Sequence, residues 1–367
     1  MKGTAGRGCT RRAVLSGFTS LALPAAETKN RLFPSERARF SDSTTEFEVT
    51  RLTSPSCSSF LPAYYGRAVS RHGDFLLYSC DRTGSLEAYR LDWKTGESRL
   101  LTHARRIEPS SLWLLPDDRS FCYFDGPALR QTSLLSLRTR DIYRVPEGWQ
   151  PGAGFAVAGD AVHAMCTEKN DATTRLRLIG MSKGDASTVV ETTDELSSPQ
   201  PRPRRAGILY RRNGGLWLVH YDGQQNRRLK TAPGRIGPAM WSADGAAVLY
   251  LHYPDEPRAL NAIREHVPDT NTDRLVAPTS QFVHFGRNGD ASVFVGASGS
   301  RAAPYILILL RVTRRELTLC EHRASDPTSV APVFSPDSQR VFFQSDRDGK
   351  PAIYALNVDR LVEKTDT

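Results

Sequence analysis

The 367-residue sequence predicts an all-β fold, a seven-bladed β-propeller with an N-terminal strand closing the last blade. Three observations predict it. A polar turn followed by an apolar strand recurs every roughly 40–50 residues, the length of a four-stranded blade. From about residue 47 onward, short runs alternate polar with apolar and favour β-branched and aromatic residues, a strand signal with no 3.6-residue periodicity competing against it. Finally, 39% of the chain is hydrophobic, yet no apolar run reaches the roughly 18 residues that a membrane helix needs.

Residues 1–26 read as an export signal. Thr10-Arg11-Arg12-Ala13-Val14-Leu15 is a twin-arginine pattern, followed by the apolar run Val14 to Leu23 and the small residues Ala25 and Ala26. Signals of this kind are addresses read by a receptor, and they place the mature chain in the periplasm or outside the cell. Residues 27–45 are polar and read as a linker, 46–360 as the propeller and 361–367 as a tail. Cys9 leaves with the signal. The remaining cysteines, at 57, 80, 122, 166 and 320, show no CxxC pair or zinc-like spacing and read as free thiols.

The repeat is clearest between Ser70-Arg71-His72-Gly73-Asp74-Phe75-Leu76-Leu77-Tyr78 and Ser335-Pro336-Asp337-Ser338-Gln339-Arg340-Val341-Phe342-Phe343. Each runs on into Asp-Arg-x-Gly, at 81–84 and 346–349. Further copies begin at Leu115, Ala158, Arg204, Trp241 and Phe285. The Asp-Gly and Asn-Gly pairs supply the positive φ of a tight turn. The apolar strand that follows is covered on both faces, so a single copy cannot bury itself and must stack on its neighbours. Glu46 to Thr53 reads as the outer strand of a blade, which completes the last one and removes an exposed edge. Seven copies fit between about 68 and 359, and a count of six or eight stays open.

The formal net charge is +9, but four of the basic residues precede Glu27, which leaves 45 basic against 40 acidic groups. That bias suits an anionic ligand. It is too small, and too little interleaved with aromatics, for nucleic acid.

The run at 335–354 resembles the TolB-type propeller repeat, shared by propellers of many functions. More specific are Tyr123-Phe124-Asp125-Gly126-Pro127, Tyr143-Arg144-Val145-Pro146-Glu147-Gly148-Trp149, Gly215-Leu216-Trp217-Leu218-Val219 and Gly237-Pro238-Ala239-Met240-Trp241-Ser242. In order and spacing these resemble the oligogalacturonate lyases, carbon–oxygen lyases of pectin degradation with a seven-bladed propeller. The resemblance implies β-elimination on a short galacturonide: a base takes the proton beside the carboxylate, while Mn2+ and an arginine stabilise the resulting charge.

It also implies where those groups stand. The family's base, a histidine, matches Pro238, and its arginine matches Gly215. His284 matches one metal ligand, and Asp326 begins the segment that matches the others, whose two histidines are absent here. A transition-metal site wants three or four N, O or S ligands, so His284 and Asp326 alone imply a weak Mn2+ site or none. Two readings of His284 stay open: a residual ligand, or a strand-end histidine bonded to backbone. Arg211 and Arg212, with His284, would suit a carboxylated sugar. His220, His252 and His322 read as surface residues, and His322 could supply a nitrogen from a shifted position. Three functions follow: a lyase by family, a non-catalytic propeller that binds an anionic saccharide, or a TolB-like platform for protein partners.

Overall fold

The computed structural model describes residues 30–365, together with Met1 and Gly3. The stretch read as an export signal lies outside these, apart from those two residues. The protein is an all-β propeller whose only helices among the described residues are two 3-10 turns, Pro109–Ser111 and Pro327–Ser329. Its strands form six hydrogen-bonded sheets. One is eight-stranded, and its halves, 150–192 and 196–228, meet at a single parallel pair, Ala153↔Ser197. Within each half, and within the other sheets, successive strands pair antiparallel as a meander.

The strand after each turn is buried along its length, as in Phe75–Cys80 and Ser120–Asp125. Adjacent sheets share their cores: Leu77 and Phe75 pack with Phe121 and Tyr123 of the next sheet, and Val295 and Ile308 with Val341 and Phe343. Each such side chain stabilises the stack by about 1.5–3 kcal/mol when fully buried. Cys80, Cys122, Cys166 and Cys320 lie buried as free thiols, and Cys57 is half-buried.

The repeating turn is real, but its left-handed residue is not always glycine. Gly73 and Gly245 have φ of 71° and 71°, as expected, whereas Asp118, Ala161, Ala291 and Ser338 hold the same place with φ between 56° and 63°. Each donates its N–H back three residues, for example Ala161 N to Ala158 O at 2.9 Å. The Asn288-Gly289 pair does not supply the positive φ of its turn; Ala291 does.

The segment read as a linker carries two strands. Leu32–Phe33 pairs with Ser98–Leu100, and Ala38–Ser41 with Glu48–Arg51. Its polar side chains face outward on sheet edges, which is why composition alone resembled a linker. Glu48–Arg51 in turn pairs with Ala352–Asn357, Val49 opposite Leu356. It is therefore flanked on both sides rather than outermost. Val362, assigned to the tail, is 3% exposed and packs into the same core. No helix among the described residues is long and apolar enough to cross a membrane.

Candidate functional site

Of the residues singled out by sequence, Arg211, Pro238 and His284 come together near the strands Leu196–Pro201, Arg235–Trp241 and Phe282–Arg287. These strands carry irregularities at matching places: between Ser197 and Gln200, between Ile236 and Ala239, and between Phe282 and His284. Pro238 sits inside the second, where no ladder N–H is required of it. Bulges of this kind re-aim side chains at the rims of closed sheets.

Arg211 ends the strand Gly207–Arg212 and crosses to the next sheet. Its Nη1 donates to Ile236 O at 3.3 Å and its Nη2 to Gly237 O, so the guanidinium lies beside Pro238. Tyr64 enters from the other side. Its hydroxyl donates to Ala239 O and accepts from Ala239 N, each at 3.1 Å. Burial raises the Tyr64 pKa, with the Arg211 charge partly opposing.

His284 meets the edge of the Tyr64 ring, centroids 4.7 Å apart at 86°. It is 6% exposed, and its Nδ1 has no hydrogen-bond partner. Burial pushes its pKa down to about 4, against a smaller opposing contribution from the Phe285 backbone. At neutral pH it is an uncharged, buried imidazole.

Arg212 does not join this group. Consecutive strand residues face opposite ways, and Arg212 turns to Asp194, Nε to Oδ2 at 2.6 Å, with its guanidinium 4.8 Å over Trp217. The expected trio therefore reduces to Arg211 and His284, both against Tyr64. Gly215 stands opposite Arg212, and a Cβ there would meet Arg228 Nε at 3.2 Å.

Asp326 is exposed, and its carboxylate is used locally. It caps the turn at Pro327–Ser329, accepting from Thr328 N at 2.9 Å and Thr328 Oγ1 at 2.7 Å. His322 is buried with both nitrogens engaged: Nε2 lies 2.9 Å from Ser298 O, and Nδ1 accepts from Ala324 N at 3.0 Å. That corrects its reading as a surface residue or a shifted ligand. His252 is also buried, with Nε2 2.6 Å from Pro233 O, while His220 is exposed beside Asp222. Among the described residues no group of three or more His, Cys, Asp or Glu side chains is placed to hold a metal ion. The donor set around His284, one imidazole and no carboxylate, does not fit manganese.

Three residues at the site had no sequence signal: Tyr64, Tyr253 and Arg235. Tyr253 donates to Val283 O at 3.1 Å, one residue from His284, and Arg235 covers its ring at 4.4 Å. Tyr64 lies in an irregular stretch outside any repeat, so periodicity could not place it. Arg235 and Tyr253 face each other across a strand pair, a relation that only the register reveals.

A cavity of about 440 Å³ opens on the far side of Tyr64. Its walls include Tyr64, Tyr65, Trp113, Trp241 and Arg287, but not Arg211, Gly215, Pro238, His284 or Asp326. Along the strand Arg235–Trp241, Pro238 and Trp241 are three residues apart, about 10 Å at the usual rise.

Comparison with known proteins agrees with this architecture. A family model described as oligogalacturonate lyase matches residues 28–176. An oligogalacturonide lyase of Pectobacterium atrosepticum is 25% identical over 373 residues, covering 87% of this chain and 95% of its own. A solved oligogalacturonate lyase in complex with manganese superposes with a TM-score of 0.85 at 24% identity, over 90% of this chain and 98% of its own. Another, from Vibrio parahaemolyticus, gives 0.84 at 25% identity, over 90% and 99%.

Proposed function

We propose that this chain, which is similar to the oligogalacturonate lyases in sequence and fold, binds oligogalacturonides at the site around Arg211 and His284 without cleaving them by metal-assisted β-elimination. The observation that carries this reading is Arg211 bonded to the carbonyls of Ile236 and Gly237, directly beside Pro238 in the base position. A cation suited to a carboxylate remains, while proline offers no group to take a proton. A general base alone is worth about 10²–10⁴ in rate, and here the arginine matched by Gly215 and two of the matched metal-ligand histidines are absent with it. Arg235, over the ring of Tyr253, adds positive charge beside the same site.

Seven blades are the count this reading adopts. It is supported by the division of the eight-stranded sheet at one bridging pair. It is also supported by one cavity that is bordered by Val69, Trp113, Val157, Pro201, Trp241, Arg287 and Phe334, each at or beside the start of one copy of the repeat. Closure by the N-terminal strand is supported by the pairing of Val49 with Leu356. The twin-arginine pattern at 10–15 supports export, to a compartment where pectin fragments would be met.

The test combines two measurements on the mature chain. Di- and trigalacturonate are incubated with and without Mn2+ while the ultraviolet absorbance of unsaturated product is followed, and their binding is titrated calorimetrically. The expected result is binding that Arg211→Ala weakens at least tenfold, and no product under either condition. Manganese-dependent product would overturn the non-catalytic reading. Unchanged binding in Arg211→Ala would overturn the site.

A further inference from the structure

We propose that the cavity beyond Tyr64 is a second ligand site, separate from the Arg211 site, and that it takes a small ring-bearing monocarboxylate such as a single uronate. The choice of uronate rests on the family reading above; the site itself rests on the charge and shape of the cavity.

Three arginines line it: Arg67, Arg202 and Arg287. Two are neutralised. Arg67 Nη2 lies 2.6 Å from Asp118, and Arg202 Nη2 lies 2.9 Å from Asp269. Arg287 is different. Nε donates to Trp241 O at 2.9 Å, and Nη1 to Asn288 O at 2.9 Å and Gly289 O at 3.0 Å. All three partners are neutral carbonyls, and Nη2 has no partner among the described residues. Asp244 and Asp290 act on this guanidinium only through space, and burial outweighs them; with no carboxylate in direct contact, it is a receptor for one carboxylate, and neutral carbonyls fix its orientation.

The rest of the wall is largely apolar and aromatic: Tyr65, Trp113, Met240, Trp241, Val333 and Phe334. Such faces take the flat C–H side of a sugar ring or an aromatic ring. A volume of about 440 Å³ lies within the roughly 300–1,000 Å³ range of small-molecule sites. The chemistry wanted is therefore one negative charge on one or two rings. A long polyanion would leave its further carboxylates against apolar walls, at several kcal/mol each in lost hydration. Tyr64, whose ring centroid lies 4.7 Å from that of His284, is itself part of the cavity wall and so touches both sites.

Gly159 makes the proposal testable without touching Arg287, whose bonds brace two sheets. It lines the cavity, and a Cβ built there meets nothing within 4 Å. Gly159 is exposed at the edge of the cavity, so Gly159→Phe should obstruct the cavity and leave the fold intact, which an unchanged melting temperature would verify. Galacturonate and the neutral sugar galactose are titrated calorimetrically into Arg211→Ala, where the first site is disabled. The expected result is saturable galacturonate binding, at least tenfold weaker galactose binding, and loss of the galacturonate signal in Arg211→Ala/Gly159→Phe. Benzoate, a planar carboxylate, should compete with galacturonate. No galacturonate binding in Arg211→Ala, or binding that survives Gly159→Phe, would overturn the second site. If binding is lost with Arg211→Ala and kept in Gly159→Phe alone, the uronate sits only at the first site, and the reading under the previous heading stands without this one.

Discussion

Lowering the pH from 7 to 5 should destabilise the native state through His284, because the buried ring resists protonation while the unfolded chain accepts it. An unperturbed histidine titrates near about 6.5; burial holds His284 at about 4. Between those values the unfolded state binds a proton that the native state does not. Stability is thus fully present above about pH 6.5 and falls as pH drops toward 4. The slope approaches about 1.4 kcal/mol per pH unit, and integration from pH 7 to 5 gives a loss of about 2 kcal/mol from this one residue. His266 and His322 are also shifted down by burial and add in the same direction. Carboxylates held below their ordinary values, such as Asp42 and Asp92, act at lower pH, while Glu87, whose carboxyl burial pushes up, opposes the histidines on acidification; comparison with a His284 variant cancels it. The assay is urea unfolding at pH 7, 6 and 5, for the wild type and for His284→Gln. The variant should start less stable but lose about 2 kcal/mol less on acidification. Equal losses in the two proteins would refute the argument that His284 is buried and neutral.

Other perturbations test the remaining elements. Asp326→Ala should cost about 1 kcal/mol by denaturant titration, the worth of a cap, and leave manganese affinity unchanged; weaker manganese binding would restore Asp326 as a ligand. Glu168 is fully buried, with Arg175 at 2.6 Å and the Tyr143 hydroxyl at 2.7 Å. Glu168→Ala should therefore cost about 3–5 kcal/mol, seen as a lower unfolding midpoint. Ala161→Gly should raise stability by about 0.5–1 kcal/mol, since φ of 57° suits glycine.

Much of the fold was legible in the chain. The strand after each turn announced itself by apolar runs such as Phe75 to Tyr78, because burial on both faces leaves no room for polar residues. The turn was legible where glycine held the positive φ, at Gly73 and Gly245, and only half legible where Asp118 or Ser338 does, since neighbouring contacts impose that conformation against local preference. Ala38–Ser41 was not legible, because an edge strand whose Arg39 and Ser41 face solvent has the composition of a linker, and Leu32–Phe33 was not, because two residues are too few to show an alternation.

The site divides in the same way. Sequence by itself determined that a proline stands at 238 and a glycine at 215, the positions that the resemblance matches to the family's base and arginine. It also determined that Arg211 and Arg212 are adjacent cations. Only the tertiary structure decided that one reaches Gly237 while the other pairs with Asp194. Strand alternation sends neighbours to opposite faces, and which face meets the axis depends on register. Likewise the chain carries Tyr64, Trp113, Trp241 and Arg287 far apart, and only ring closure brings them to one cavity. Contacts between distant residues leave no local pattern in a sequence, because they arise from how the sheets pack and not from the propensity of any one of them.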